Sequence, residues 1–266
     1  MVPRCLTIAG SDSGGGAGIQ ADLKAFASLG CHGMSVVVAL TAQNTVGVTG
    51  ITEASPEFVR AELEAVFSDI GVDAVKTGML FSEAIVTTVA EFLGGQEQPV
   101  QLVVDPVFAA ASGAQLIQGA AVGALVGNVF PLATVVTPNL REACTLAGVP
   151  YSDDADRREL SERIFDLGPA AVVVTGGHGS EAVDWLFDGD RHVPIPVQRY
   201  STTATHGAGC THSASLTALL AKGNPLEAAA RGAAEVASRA VRDGLVHLGS
   251  GEGPVDVFGL AAQGTR

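Results

Sequence analysis

Short apolar runs alternate with longer amphipathic runs along most of the chain. The short runs have the length and composition of buried strands, whereas the longer runs repeat their apolar positions with the period of a helix. Strands are predicted at residues 5–9, 35–40, 74–76, 100–105, 134–137 and 171–175. Helices are predicted at residues 17–29, 56–70, 82–93, 119–126, 140–147, 154–167, 209–220 and 225–245.

The order of these elements favours an α/β fold. Strands that alternate with helices form mainly parallel sheets that are covered on both faces. We therefore expect a three-layer architecture with a central, mainly parallel sheet flanked by helices. A hairpin-like excursion pairs residues 183–187 with 192–195. No linker, repeat or composition break divides the chain, so residues 1–266 are predicted to form a single domain.

Composition allows a large core and restricts the partners. The chain has 266 residues, 47% of them hydrophobic, and a net charge of −13. No apolar run is long enough to cross a bilayer, and the N-terminal run is too short for a signal peptide. We therefore expect a cytoplasmic protein with no membrane contact. The negative charge argues against a nucleic-acid partner, because binding phosphate backbones requires clustered cations.

The four cysteines, Cys5, Cys31, Cys144 and Cys210, are widely separated and form no CxxC pair. This spacing argues against a zinc site and against thioredoxin-type chemistry. A reducing compartment also disfavours disulfides. Only Cys210 has a distinctive setting, because it lies where a glycine-rich turn enters a predicted helix.

The loop after the first strand, 10-GSDSGGGAGIQADLKAF-26, resembles two phosphate-binding motifs and matches neither. The dinucleotide motif that starts at Gly14 would need glycine where Ile19 stands, and the P-loop motif needs a lysine that is absent. Asp22 falls in the first helical turn. Its carboxylate could accept hydrogen bonds from a small heterocycle, or could simply stabilise the helix start through the dipole.

Two further loops carry carboxylates at the ends of predicted strands. Asp105 ends a very apolar strand and could hold a metal ion or its bound water, or could cap the loop. Asn139 and Glu142 have the spacing of a capping box at a helix start. The alternative is that Asn139 and Glu142 line a site for Mg²⁺ and phosphate.

The segment 207-GAGC-210 has the composition of an anion-binding helix start. Free N–H groups converge there, and the helix dipole adds partial positive charge. The same field would favour a thiolate and lower the pKa of Cys210, which could then act as a base or a nucleophile. The alternative is a small packing residue that closes a tight turn.

Taken together, these loops resemble the hydroxymethylpyrimidine/phosphomethylpyrimidine kinases of thiamin biosynthesis, within the ribokinase-like superfamily. The resemblance extends from about residue 6 to 255. The matching segments are 8-IAGSDSGGGAGIQADLKAF-26, 39-ALTAQNTVGV-48, 76-KTGML-80, 103-VVDPV-107, 136-VTPNLREA-143, 176-GGH-178 and 206-HGAGC-210. The first two segments together are highly specific.

The resemblance implies a ribokinase-like fold and transfer of phosphate from ATP, with Mg²⁺, to 4-amino-5-hydroxymethyl-2-methylpyrimidine and then to its monophosphate. It assigns pyrimidine binding to Asp22 and Gln43, packing on the ring to Met79 and Val107, and the pocket lining to Gly10 and Ala17. It assigns the metal site to Asp105 and Glu142, and the nucleotide phosphates to Asn139, Glu142, Thr175 and Thr205. It further implies a catalytic anion hole formed by Gly207, Ala208, Gly209 and Cys210, with Cys210 where the acceptor hydroxyl loses its proton.

The chain differs from the family pattern at three places. Thr175 stands where the family often has lysine before GGH, 110-AASG-113 stands where an AKSG stretch is common, and Asp256 replaces a common histidine. Two cations that would neutralise phosphate are therefore missing. Lys76 and Arg141 are candidates to replace them, although Lys76 could instead pack near the pyrimidine pocket.

Two other functions remain open. A related kinase could act on pyridoxine or pyridoxal, which are also flat hydroxymethyl-bearing heteroaromatics. A pyrimidine-binding sensor without turnover would account for the missing lysines. An apolar helix face further suggests a homodimer.

Overall fold

The computed structural model describes residues 1–109 and 119–263. Its strands form one sheet in the order β3-β2-β1-β4-β5-β6-β7-β8-β9. The strands are β1 Arg4–Asp12, β2 His32–Gln43, β3 Val48–Glu53, β4 Ala74–Thr77, β5 Gln101–Val104, β6 Val135–Val136, β7 Val172–Val174, β8 Val183–Phe187 and β9 His192–Pro196. This continuous sheet agrees with a single domain over 1–266, which stays a prediction.

The central strands β2, β1, β4, β5, β6 and β7 run parallel to one another. The outer pairs are antiparallel, with β3 on β2 at one edge and β8 and β9 beyond β7 at the other. The carboxyl ends of the parallel strands therefore meet along one edge of the sheet, where ligands bind in folds of this kind. The predicted mainly parallel sheet and the 183–195 excursion are both confirmed.

Helices cover both faces of the sheet. They are α1 Gly18–Ser28, α2 Pro56–Ala65, α3 Glu83–Gly94, α4 Gly119–Ala124, α5 Leu140–Leu146, α6 Arg157–Phe165, α7 Ala208–Ala221, α8 Leu226–Arg242 and α9 Leu260–Gln263. Single π-helical turns extend α2 through Ile70 and α4 through Val129. Among the helices of the described residues, none combines the length and apolar composition needed to cross a bilayer.

The side chains of each buried strand alternate between the two faces of the sheet, which gives the core two layers. Successive strand residues point to opposite faces, so Leu102 and Val104 pack in the layer that contains α2 to α6. Val103 lies between them in sequence and packs in the opposite layer, against α7 and α8. Because both faces of β5 are buried, its sequence is continuously apolar rather than alternating.

The strand β3 was not predicted. Its sequence, VTGITE, is half-buried or exposed along its whole length and contains Gly50, so it lacks the apolar run of a core strand. It forms because β2 continues to Gln43, past its predicted end at residue 40, and a hairpin returns the chain along the open edge.

The 110–113 segment, where a family lysine is missing, lies outside the described residues.

Candidate active site

A buried ion pair lies under the carboxyl edge of the sheet. The Lys76 ammonium, from β4, is 2.6 Å from Asp22 Oδ1, and Thr7 Oγ1 donates to Asp22 Oδ2 at 2.6 Å. All three side chains are fully buried. Burial alone would lower the pKa of Lys76, but the negative charges of Asp22 and Asp105 raise it, so the lysine is cationic.

This pair changes two expectations. Lys76 does not replace a missing phosphate cation, because it is enclosed and directed at Asp22. Asp22 is not a mere helix-start carboxylate either, since both of its oxygens accept hydrogen bonds from neighbouring strands. Direct contact of Asp22 with a pyrimidine ring stays a prediction.

Cys210, which is half-buried, lies in the first turn of α7 within electrostatic reach of this pair. Burial raises the pKa of the thiol to about 12; Lys76 opposes that shift, whereas Asp22 and Asp105 add to it. The backbone N–H of Gly18 also favours the thiolate, but more weakly. The low pKa expected from the helix dipole is therefore wrong for this structure, because desolvation of the thiolate outweighs the helix field.

The start of α7 carries the expected amide groups. Ala208 N–H donates to the Thr205 carbonyl at 3.0 Å and is therefore engaged. The N–H groups of Gly209 and Cys210 donate to no acceptor within residues 1–109 and 119–263. These two amides, with the helix dipole behind them, can receive an anion.

Gly207 allows this helix start to approach the first loop. Its φ is 83°, in the left-handed region that favours glycine. A Cβ at Gly207 would lie 1.8 Å from the Gly16 carbonyl oxygen, so no other residue fits. The two glycine-rich loops, which lie far apart in sequence, are thus in direct contact.

Two carboxylates lie between α7 and the loops after β5 and β6. Asp105 Oδ2 accepts from Ser213 Oγ at 2.8 Å and lies 4.0 Å from Lys76 Nζ. Glu142 and Asn139 form the predicted capping box, with reciprocal hydrogen bonds of 2.9 and 3.0 Å. Burial and the charge of Asp105 raise the pKa of Glu142 well above its usual value.

This pair of carboxylates fits a hard divalent cation. Within the described residues no group of three or more His, Cys, Asp or Glu side chains forms a metal site. Mg²⁺ does not require such a cage, since it usually takes one or two carboxylates together with phosphate oxygens. The mutual repulsion of Asp105 and Glu142 is what a cation between them would relieve.

Three of the predicted pyrimidine residues, Gly10, Gln43 and Met79, lie in or beside the first loop. A Cβ at Gly10 would lie 2.3 Å from Met79 Cε, so these two residues are in contact. Gln43 accepts from Thr41 Oγ1 through its carbonyl oxygen, whereas its amide NH₂ donates to nothing in the part of the chain that the structure describes. Gln43 also lines a cleft of about 330 Å³ together with His206 and Glu252. Ala17 and Val107 are half-buried.

Of the predicted nucleotide residues, Asn139 and Thr175 follow β6 and β7, whereas Thr205 precedes α7. Thr175 N–H donates to the Pro138 carbonyl at 2.9 Å, which brings Thr175 beside Asn139. Thr205 is exposed and hydrogen-bonds to Glu252. Arg141, the second candidate for a missing cation, instead lies over the Tyr151 ring at 4.3 Å.

Arg199 organises the loop after β7. Its guanidinium donates to the carbonyl oxygens of Gly176, His178 and Gly179, at 2.5 to 2.9 Å, and also to that of Glu181. No sequence pattern indicates a role for this arginine, because it lies beyond the β8–β9 hairpin and shares no motif with the loop that it holds.

Two other residues were missed, Asp12 and His206. The Asp12 carboxylate accepts from three loop amides and lies 2.9 Å from His206 Nε2. The signal available in the sequence was an acidic residue before the glycine run and a histidine before GAGC. Neither signal indicates that the two residues meet.

The family comparison agrees with this geometry. A family model described as "Phosphomethylpyrimidine kinase" matches residues 12–256. This chain belongs to that family. The chain is 47% identical to a hydroxymethylpyrimidine/phosphomethylpyrimidine kinase of Rhizobium meliloti, over 97% of this chain and 98% of the relative.

Solved structures extend the comparison to the fold. A phosphomethylpyrimidine kinase structure from Clostridium difficile is similar with a TM-score of 0.79 and 38% identity, over 91% of this chain and all of that one (100%). An ADP complex of Bacillus subtilis pyridoxal kinase is similar with a TM-score of 0.88 and 35% identity, over 98% and 100%. This family member is thus a phosphotransferase with the ribokinase-like fold.

Proposed function

We propose that this family member transfers phosphate from ATP to 4-amino-5-hydroxymethyl-2-methylpyrimidine and then to its monophosphate, in thiamin biosynthesis. The observation that carries the proposal is the pair of amides of Gly209 and Cys210, which have no acceptor among the described residues and lie at a helix start that contacts the first loop. A hydroxymethyl group held against Gly10 and Met79 would face an anion that these amides bind. The names of the relatives support the pyrimidine as substrate.

Phosphoryl transfer depends chiefly on alignment and on stabilisation of the charge on the transferred group. The amides of Gly209 and Cys210 supply fixed positive dipoles at that point, and the fold holds them in place before the substrate arrives. Mg²⁺, held by Asp105 and Glu142 with the ATP phosphates, would supply the remaining charge neutralisation. We expect Asn139, Thr175 and Thr205 to contact the nucleotide phosphates.

Cys210 is proposed to lie beside the acceptor hydroxyl. With its pKa raised by burial, the thiol is protonated at neutral pH and is no strong base in the free enzyme. A loose transition state keeps the hydroxyl proton until late, so a strong base is not required. The role of Cys210 is therefore to contact the acceptor oxygen as a neutral thiol, while the hydroxyl proton leaves late, to an oxygen of the transferred phosphoryl group.

Pyridoxal is the second candidate acceptor, and the TM-score of 0.88 to a pyridoxal kinase is the observation that favours it. Gln43 distinguishes the two substrates, because an amide can pair with the edge of an aminopyrimidine. The ring of pyridoxal instead presents a phenolic oxygen.

The test combines purified protein, Mg-ATP and the hydroxymethylpyrimidine, with products followed by mass. Gain of one and then two phosphates supports both steps. Phosphorylation of pyridoxal alone would favour the second candidate, and pyrimidine binding without transfer would favour a sensor. Gln43→Ala is expected to weaken pyrimidine binding about tenfold, the loss of roughly one hydrogen bond. Gln96→Ala, at the end of α3, is the control and should leave the affinity unchanged.

The assembly and the compartment are also proposals. Leu40 and Val46, on β2 and the β2–β3 hairpin, and Phe58 on α2 are exposed large hydrophobic residues. Burying them against a second copy would support the homodimer, which light scattering would test. All four cysteines are free thiols, which suits the reducing cytoplasm.

A further inference from the structure

The first loop is organised around one buried carboxylate. Asp12 accepts hydrogen bonds from the N–H groups of Gly14, Gly16 and Ala17, at 2.8, 3.0 and 2.8 Å. Burial alone would raise the pKa of Asp12, but hydrogen bonds from His206, Ala17 and Gly14 hold it below its usual value. The aspartate is therefore ionised, and it fixes the loop that carries Ala17.

His206 connects this loop to the start of α7. Its Nε2 lies 2.9 Å from Asp12 Oδ2, and both side chains are buried. A Cβ at Gly16 would lie 2.2 Å from His206 Cδ2, so glycine is required for the imidazole to reach the aspartate. The His206 backbone is held separately, by hydrogen bonds with Gly253 and Val255.

We propose that the Asp12–His206 contact sets the distance between the pyrimidine loop and the phosphate-binding start of α7, and that His206 is a positioning residue for phosphoryl transfer. The inference rests on the proposed function. His206 directly precedes Gly207, and Asp12 holds the amide of Ala17. The contact thus joins the two loops that must present acceptor and phosphate to each other.

Each loop keeps most of its own hydrogen bonds without this contact. Asp12 retains its three amide donors, and the backbone of His206 retains Gly253 and Val255. Loss of the imidazole should therefore leave each ligand bound while relaxing the alignment between them. Misplacement by about 1 Å can lower the rate of a transfer reaction roughly a hundredfold.

The experiment compares His206→Ala, His206→Gln and the unaltered protein. Single-turnover rates are measured with Mg-ATP and the hydroxymethylpyrimidine, and the Kd of each ligand and the Tm are measured separately. For His206→Ala we expect the rate to fall about ten- to a hundredfold, with each Kd within about threefold. Glutamine can place an amide nitrogen near the Nε2 position, so His206→Gln should recover most of the rate.

His192 provides a matched control. Its Nε2 lies 2.8 Å from Glu162, and its side chain is 12% exposed against 10% for His206, but it belongs to the β8–β9 hairpin. His192→Ala should leave the transfer rate unchanged, even where its Tm falls. A His206→Ala protein with the normal rate overturns the proposal. Parallel loss of both ligand affinities and of Tm, without rescue by glutamine, also overturns it, because the role would then be merely structural.

The proposed function and the positioning role can fail separately. If the unaltered protein phosphorylates pyridoxal and not the pyrimidine, the proposed substrate is wrong, and the same rate ratio is measured with pyridoxal. If it phosphorylates neither, hydrogen exchange of the backbone amides of residues 14–17 tests whether the Asp12–His206 contact holds the first loop. Faster exchange in His206→Ala than in His192→Ala supports the contact, and equal exchange overturns it.

Discussion

The ammonium of Lys76 lies 2.6 Å from the carboxylate of Asp22, and neither side chain reaches solvent. Such a pair has little net effect on stability while both partners are present, but removing one leaves an isolated charge in the interior. Because Lys76 and Asp22 both influence the pKa of Cys210, the pair also contributes to the electrostatic surroundings of the proposed acceptor site.

We expect Lys76→Met to lower the free energy of unfolding by about 3–5 kcal/mol, since among the described residues Asp22 would keep only Thr7 as a hydrogen-bond donor. Adding Asp22→Leu in the same chain should recover most of this loss. Urea denaturation measures both effects. Lys222→Met, on the exposed end of α7, should change stability by less than about 0.5 kcal/mol. A small effect of Lys76→Met would mean that water or rearrangement compensates the charge.

The Cys210 thiol should react slowly in the folded protein. Its pKa is raised from 9.0 to about 12, so the rate of its alkylation, followed by mass, should not level off near neutral pH. The rate should increase after unfolding in urea. If the alkylation rate of the folded protein levels off near neutral pH, the thiol has the low pKa expected from the helix start.

The same shift predicts how Cys210 affects stability at alkaline pH. The folded protein keeps the thiol proton where the unfolded chain has lost it. The contribution is therefore complete below pH 9.0 and is lost progressively as the pH rises toward about 12. Relative to Cys210→Ser, the unaltered protein should lose more stability over this interval, as followed by denaturation at a series of pH values.

Glu142→Gln can separate the two roles of Glu142. Glutamine can still accept from the Asn139 N–H, so the capping box should persist and stability should change little. The loss of the carboxylate should nevertheless lower the apparent affinity for Mg²⁺ roughly ten- to a hundredfold. Glu142→Ala should also lose about 1 kcal/mol of stability through the missing cap. Mg²⁺ titration of the kinase rate and thermal unfolding provide the two readouts, and unchanged Mg²⁺ dependence in Glu142→Gln would leave capping as the sole role.

Arg199→Ala should loosen the loop after β7, because several carbonyl oxygens lose their shared donor. We expect the KM for ATP to rise about tenfold, equal to roughly 1.4 kcal/mol, while the Kd for the pyrimidine stays the same. Arg199→Lys should recover little, since an ammonium cannot reproduce the planar fork of donors. Arg191→Ala, in the exposed β8–β9 turn, is the control. An unchanged KM in Arg199→Ala would show that the loop does not bind the nucleotide.

Much of the fold could be predicted from local patterns. The buried parallel strands appear as apolar runs, and the capping box of Asn139 and Glu142 is visible in their spacing alone. The edge strand β3 could not be found this way, because it is not buried and pairs only with the extension of β2. Edge strands depend on their neighbour more than on their own composition.

The candidate site was predictable by residue type but not by partner. Asp12 and His206 are separated by 194 positions, and Asp22 and Lys76 by 54, so no local pattern indicates either contact. The pKa of Cys210 was predicted in the wrong direction for a related reason. The helix field follows from the sequence, whereas burial of the thiol depends on three-dimensional packing.

The hairpin tip at Thr45 is hydrogen-bonded to Gly251 and Glu252, and the backbone of His206 to Gly253 and Val255. The first of these contacts joins residues 206 positions apart. During synthesis on the ribosome, the pyrimidine loop and the β2–β3 hairpin emerge long before residues 251–255, which form these hydrogen bonds. The nascent chain therefore remains without a complete site until residues 251–255 have left the exit tunnel, and contacts this distant in sequence form late.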